Sequence, residues 1–256
     1  MGARLVQRNC QIAVERLDPT LDGLRILHLS DLHAEGFTPA LAELGERLRG
    51  VAFDLMAITG DLCMSPYHWR RTCRALDRLL EGIKPPLGVW VVLGNHDPGR
   101  FADGLTAPGI RVLRNAGEVI EHRGAAFNLA GIDHSRGRHA ADIAKALTGC
   151  RDGLATVLLA HYPSTVYTVP SERVDVVLAG HTHGGQIRLP LLGCIYTNDW
   201  IAGRYARGLH RIGGVWLHVS AGIGVGQWFP YRFRCPPEFS VVTLRSAGAQ
   251  DTAISS

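Results

Sequence analysis

The chain has 256 residues, 46% of them hydrophobic and 20% charged, with a formal net charge of +4. That balance excludes a disordered tail, a collagen-like fibre and a mini-protein held by staples. The length suffices for a large buried core in one domain, expected over residues 1–256.

No apolar run reaches the roughly 18–20 residues that span a bilayer. Arg4, Arg8, Asn9 and Gln11 interrupt the N-terminal segment, so no secretory signal is expected and the cytoplasm is the default compartment. Six cysteines lack any C-x-x-C spacing and read as free thiols.

In chain order, residues 24–29 and 54–58 read as buried strands, with a helix between them. Thr38-Pro39 caps that helix, and Leu41, Leu44 and Leu48 recur at helical spacing. Ser65-Pro66 opens a second helix whose Trp69, Cys73, Leu76, Leu80 and Ile83 share one face. Residues 89–93 form a third apolar strand. Shorter strands follow at 111–113, 118–122 and 127–132, then a helix over 140–147. Further strands are expected at 156–159, 174–179, 204–210, 215–220 and 240–244, with Gly213-Gly214 as a hairpin turn. The pattern predicts an α/β fold with a mixed, two-sheet core.

Polar residues stand directly after the apolar strands. They are Ser30-Asp31-Leu32-His33, Thr59-Gly60-Asp61, Gly94-Asn95-His96-Asp97, Ala160-His161 and Gly180-His181-Thr182-His183. Ligands of open α/β sheets bind beyond the carboxyl ends of strands, so five such ends would converge on one cleft. Each piece alone is weak, and Asp97 before Pro98 equally suits a helix cap. Together, Asp31, His33, Asp61, Asn95, His161, His181 and His183 supply two carboxylates, one amide and four imidazoles. That set exceeds one tetrahedral site and suits two divalent ions, manganese first, with iron or zinc as the other choices.

The succession D-x-H, G-D, G-N-H-D, H and G-H-T-H is similar to that of the calcineurin-like metallophosphoesterase superfamily, in the same order. The resemblance covers residues 24–183 by motif. It implies a four-layer sandwich of two mixed β-sheets flanked by helices, with the metal site at the strand carboxyl ends. It also implies that Asp31, His33, Asp61 and His183 hold one metal, while Asp61, Asn95, His161 and His181 hold the other. Hydrolysis of a phosphate ester or diphosphate by a metal-bridging hydroxide is then expected. Asn95 would orient phosphate and His96 would protonate the leaving oxygen.

Residues 180–190 and Cys235-Pro236-Pro237-Glu238 look like a bacterial branch of membrane-associated phosphoesterases and UDP-diacylglucosamine pyrophosphatases. Where many of those relatives carry Ser-Arg-Gly, this chain has Ser220-Ala221-Gly222. The expected substrate is a phosphorylated small molecule or a lipid-linked nucleotide, with peripheral contact to the inner face of a membrane. Seven arginines stand against Asp199 and Glu238 between residues 188 and 245. Trp228, Arg188 and Arg232 are the candidate substrate contacts, Trp228 and Arg232 from the aromatic–basic run 228–234. The alternatives are a phosphodiesterase or nuclease and a non-catalytic binding module on the same fold. A charge of only +4 disfavours nucleic acid, and a dead site would have lost ligands. Oligomeric state is left open.

Overall fold

The computed structural model describes residues 4–105, 109–134, 139–226 and 231–247. In chain order the first half contains β1 (Val6–Val14), β2 (Leu24–Leu29), α1 (Pro39–Arg49), β3 (Leu55–Thr59), α2 (Trp69–Leu79), β4 (Val89–Val92) and β5 (Ile110–Val112). Next come β6 (Ala116–His122), β7 (Ala125–Gly131), α3 (His139–Leu147), β8 (Thr156–Leu159) and β9 (Val176–Ala179). The last of the described elements are β10 (Arg188–Leu189), β11 (Gly193–Cys194), β12 (Gly208–Ile212), β13 (Val215–Val219) and β14 (Glu238–Ser246).

Two six-stranded mixed sheets result. The first has the order β1-β14-β2-β3-β4-β5, and the second β12-β13-β9-β8-β7-β6. In each, parallel strands occupy the middle: β2, β3 and β4 in the first, β7, β8, β9 and β13 in the second. These central strands are buried on both faces, which accounts for their continuous Val, Ile and Leu runs.

Alternation along the strands sorts side chains into layers. Ile26, Leu55, Ala57, Trp90 and Val92 of the first sheet pack against Phe127, Leu129, Val157, Val176 and Leu178 of the second. On the outer face, Leu27, Leu29, Met56 and Ile58 pack beneath Leu44 and Leu48 of α1 and Cys73 and Leu76 of α2. Ala130, Leu158, Val177 and Leu217 meet Ile143, Ala146 and Leu147 of α3. The architecture is helix, sheet, sheet, helix.

Thr38 caps α1 through its Oγ1, which accepts from Leu41 N at 3.3 Å, with proline in the first turn. Gly213 and Gly214, both at positive φ, form the two-residue turn joining β12 to β13.

The structure corrects several boundaries. Residues 204–210 are not one strand: Gly203–Tyr205 is a 3-10 turn, and β12 starts only at Gly208. Gly208 takes φ +93, a conformation that breaks the extended run before it. Helix α2 stops at Leu79, and Leu80 and Ile83 complete the same apolar face from the turn beyond it. β1 and the β10–β11 hairpin were not anticipated. Asp97 caps no helix, since the following 3-10 turn Gly99–Gly104 has Pro98 at its cap position.

Candidate metal centre

The ladders of the sheets continue past their strand ends. Asp31 N donates to Gly60 O at 2.9 Å, His33 N to Asp61 O at 3.0 Å, and Gly180 N to His161 O at 3.1 Å. These bonds tie the Asp31 loop to the Asp61 loop and the His161 strand end to the His181 loop. His181 N on Asp31 Oδ2 at 3.0 Å and His96 N on Asp61 Oδ1 at 2.9 Å join all five into one floor. Two glycines allow the closeness. A β-carbon on Gly94 would collide with the Asp61 carboxylate, and one on Gly180 with Ser30 Oγ and the Asp31 carboxylate.

On that floor the seven candidate ligands meet. His33 Nε2 lies 3.0 Å from His183 Nε2, and Asp31 Oδ1 lies 3.6 Å from His183 Nε2. His161 Nε2 lies 3.2 Å from both His181 Nδ1 and Asn95 Oδ1. Asp61 Oδ2 stands between the two groups, 3.5 Å from His33 Nε2 and 3.3 Å from His161 Nε2. Six of the seven are buried, Asn95 being half-buried.

Backbone strain accompanies this convergence. Asp31, His33, Asp61, His181 and His183 all have φ between 44° and 68°. Non-glycine residues rarely adopt that region, and five ligand positions doing so together is strain held by the surrounding lacing.

The donor atoms fit divalent cations. His161 Nδ1 donates to Thr59 O at 2.8 Å, which turns the Nε2 lone pair inward. His181 Nε2 donates to Asn198 O at 3.1 Å, which does the same for its Nδ1. With both imidazoles neutral, two lone pairs would face one another at 3.2 Å, a repulsion that a proton or a bound metal ion between them relieves. His33 Nδ1 and His183 Nδ1 have no hydrogen-bond partner, while their Nε2 atoms face each other.

Electrostatics point the same way. Burial raises the Asp31 carboxyl to about 7, against the pull of His161 and with a push from Asp61. Burial also works against charge on His161, yet the Asp61 carboxylate outweighs it and lifts the imidazole to about 10. Burial opposes ionisation of Asp61 as well, but His161, His33 and His96 hold its carboxyl well below the usual range. Such a cluster is short of positive charge, and bound divalent ions would supply it.

Around the ligands sit residues that hold them. His96 N donates to Asp61 Oδ1 at 2.9 Å, and His96 Nδ1 donates to Met64 O at 3.1 Å. Its Nε2 then faces the Asp61 carboxylate at 4.0 Å, with the side chain a quarter exposed. Asp97, read from sequence as a possible cap, instead accepts amides from Leu62, Cys63 and Gly94 at 3.2, 2.9 and 2.9 Å. It ties the Asp61 loop to the Asn95 loop.

The expected substrate contacts divide. Trp228 lies outside the described residues. Arg188 Nη1 donates to Gly184 O at 3.0 Å, beside His183. Arg232 engages its fork on the carbonyls of Ala221, Gly222, Gly224 and Cys235, so it grips the Ser220-Ala221-Gly222 turn rather than facing outward. Thr59 and Asn198 escaped sequence reasoning because they act through backbone carbonyls, which carry no side-chain signal.

Residues 24–185 match the family model described as calcineurin-like phosphoesterase. The chain is 30% identical over 239 residues to the metallophosphoesterase YkuE of Bacillus subtilis, covering 88% of this chain and 80% of that protein. It is 31% identical over 257 residues to a transmembrane protein with metallophosphoesterase domain from Danio rerio. That match covers 93% of this chain but 56% of the relative, so the chain spans little more than half its length. It is also 26% identical over 279 residues to the UDP-2,3-diacylglucosamine pyrophosphatase LpxG of Chlamydia trachomatis, covering 87% and 84% of the two chains. The chain belongs to the calcineurin-like phosphoesterases, metal-dependent hydrolases of phosphoric esters.

Proposed function

We propose that this chain cleaves a phosphate ester or diphosphate bond in a lipid-linked nucleotide, with UDP-diacylglucosamine as the specific candidate. The observation that carries the reading is the position of Asp61 Oδ2, shared between the His33 and His161 sides of a buried donor cluster. A shared carboxylate with three donors on either side suits two divalent ions, manganese foremost and iron or zinc on the same donor set. Asp31, His33 and His183 would complete one position, and Asn95, His161 and His181 the other. When bound, the ions supply an activated water and neutralise charge on the phosphoryl oxygens.

The chain's own groups do the rest. Asn95 Oδ1 points toward His161, which leaves its NH₂ to donate to a phosphoryl oxygen. Because His96 Nδ1 donates to Met64 O, a second proton on Nε2 would sit at the site and pass to the leaving oxygen. The lipid-linked substrate is supported by the relative named a UDP-2,3-diacylglucosamine pyrophosphatase. It would place the enzyme in lipid A synthesis, at the inner face of the membrane.

A hydrolysis panel with Mn²⁺ tests this: an aryl phosphomonoester, an aryl phosphodiester, nucleotide sugars, single-stranded DNA and UDP-diacylglucosamine. Preference for the last by kcat/KM is expected. Equal or better turnover of DNA or of unacylated nucleotide sugars would overturn the lipid-linked reading.

A further inference from the structure

Among the described residues, seven of the nine large hydrophobic side chains that are exposed lie between positions 191 and 233. Leu191 and Leu192 form the tip between β10 and β11, with Arg188 paired to Cys194 and Leu189 to Gly193. Leu191 is fully exposed and Trp200 is 94% exposed. Ile195 and Tyr196 link the hairpin to the turn that carries Trp200.

These positions form one surface. Arg188 N donates to Phe233 O and Phe233 N to Gln186 O, at 3.0 and 2.9 Å, so exposed Phe233 runs beside the hairpin. Thr197 Oγ1 bonds the carbonyls of Asp199 and Ile201 and closes the turn around Trp200. That turn stands on the metal centre, because Asn198 O is the partner of His181 Nε2. Asp199 Oδ2 accepts from Ser164 N at 2.7 Å and fixes the turn to the body.

The charge on this segment is predominantly positive. Arg204 and Arg234 are exposed and Arg188 is half-buried. Only Asp199 and Glu238 carry negative charge between residues 188 and 238. Asp199 is occupied by the amides of Ser164 and Trp200, and Glu238 is buried beside Arg8. Exposed aliphatic and aromatic side chains on a segment that also carries exposed arginines match the boundary between acyl chains and anionic headgroups. Stacked nucleic-acid bases would be served by the aromatics but not by Leu191, Leu192 and Ile195.

We propose that the β10–β11 hairpin and the Trp200 turn are a docking surface for an anionic phospholipid bilayer, which brings lipid-linked substrate to the adjacent metal centre. The proposal deepens the lipid-linked reading above and rests on it for its substrate.

The test uses the full chain reconstituted with Mn²⁺. Flotation with vesicles of phosphatidylcholine, with and without phosphatidylglycerol, is compared for wild type and Leu191→Ser/Leu192→Ser/Trp200→Ser. Wild type should float with the anionic vesicles, more weakly in high salt, and the triple variant should partition roughly tenfold less. Both proteins should hydrolyse a soluble aryl phosphodiester equally, which shows that the variant is folded and its centre intact. A second variant, Arg204→Glu/Arg234→Glu, should lose binding without any change in apolar area. Equal binding to neutral vesicles, undiminished binding by either variant, or concentration-dependent dimerisation through this face without flotation would each overturn the proposal. Vesicle binding with no cleavage of the lipid-linked nucleotide would uphold docking and sink the substrate reading. Cleavage in detergent with no vesicle binding would do the reverse.

Discussion

His28 Nδ1 lies 2.9 Å from His218 Nδ1, a bond that joins the two sheets directly beneath the metal centre. His28 Nε2 reaches Thr59 Oγ1 at 2.8 Å, and Thr59 Oγ1 in turn faces Leu29 O at 3.5 Å. The hydroxyl therefore donates to the carbonyl and accepts from His28 Nε2. His28 Nδ1 is then the acceptor and His218 Nδ1 the donor, an arrangement that needs both imidazoles neutral.

That arrangement sets a pH dependence. Burial lowers His28 far below its usual range, with His218 adding to the effect, and burial lowers His218 to about 4, with His210 adding. Above the unfolded value of about 6.5 neither state is charged, and the pair contributes no slope. Below it the unfolded chain takes up protons that the folded chain refuses, so stability falls by about 1.4 kcal/mol per pH unit for each histidine. The loss continues down to about pH 4, where His218 accepts its proton. Urea unfolding at pH 7 and pH 5 should show a steeper loss in wild type than in His28→Leu/His218→Leu. The carboxylates and ligand histidines titrate in both proteins, so equal slopes would rule the pair out as a contributor.

Asp61 is the only one of the seven candidate ligands within 3.5 Å of histidine nitrogens on both sides of the cluster. Asp61→Asn should therefore remove metal from both positions together and abolish activity. Asp31→Asn should weaken chiefly the His33–His183 side. Metal content by mass spectrometry, read beside activity, checks this. A metal-replete, active Asp61→Asn protein would end the shared-carboxylate assignment.

His96 separates chemistry from metal retention. Its side chain touches Asp61 only at 4.0 Å, while its backbone amide, which any residue retains, makes the 2.9 Å bond to Asp61. His96→Asn should keep its metal and lose about 10²–10⁴-fold in kcat on substrates with a poor leaving group. With p-nitrophenol as leaving group the loss should shrink, because that oxygen departs without protonation. An equal loss on both substrate types would assign His96 a positioning role.

The candidate ligands were legible in the sequence because each follows an apolar strand, and buried parallel strands announce themselves by composition. The two-sheet core was legible for the same reason, whereas the helix, sheet, sheet, helix order came only through the family resemblance. β1 was not legible, although buried Ile12 and Val14 alternate with exposed Gln11 and Ala13, because its partner β14 is distant in sequence: Val6 pairs with Glu238. Two-residue strands such as β10 and β11 have no period to read. The His28–His218 bond joins positions 190 residues apart, and nothing local distinguishes His28 from an ordinary core histidine. Positive φ at Asp31, His33, Asp61, His181 and His183 runs against local preference, so it follows only from the convergence of the loops.

Asp97 is the residue whose role changed most between sequence and structure. Its buried carboxylate accepts the amides of Leu62, Cys63 and Gly94, all within 3.2 Å. Burial lifts it to about 6, with Asp61 adding to the rise and the three amides opposing it. Asp97→Ala would leave three amides without an acceptor beneath the Asp61 and Asn95 loops. Each orphaned amide costs about 1–3 kcal/mol, partly relieved where water enters. At roughly 2–4 °C per kcal/mol for a chain of this size, Tm should fall by about 6 °C or more. Metal affinity should fall with it, since Asp97 positions two loops that carry candidate ligands. Asp97→Asn can accept only through Oδ1 and turns an NH₂ toward amide donors, so it should recover little. A Tm within about 2 °C of wild type in Asp97→Ala, with metal content unchanged, would show that this brace does not hold the centre together.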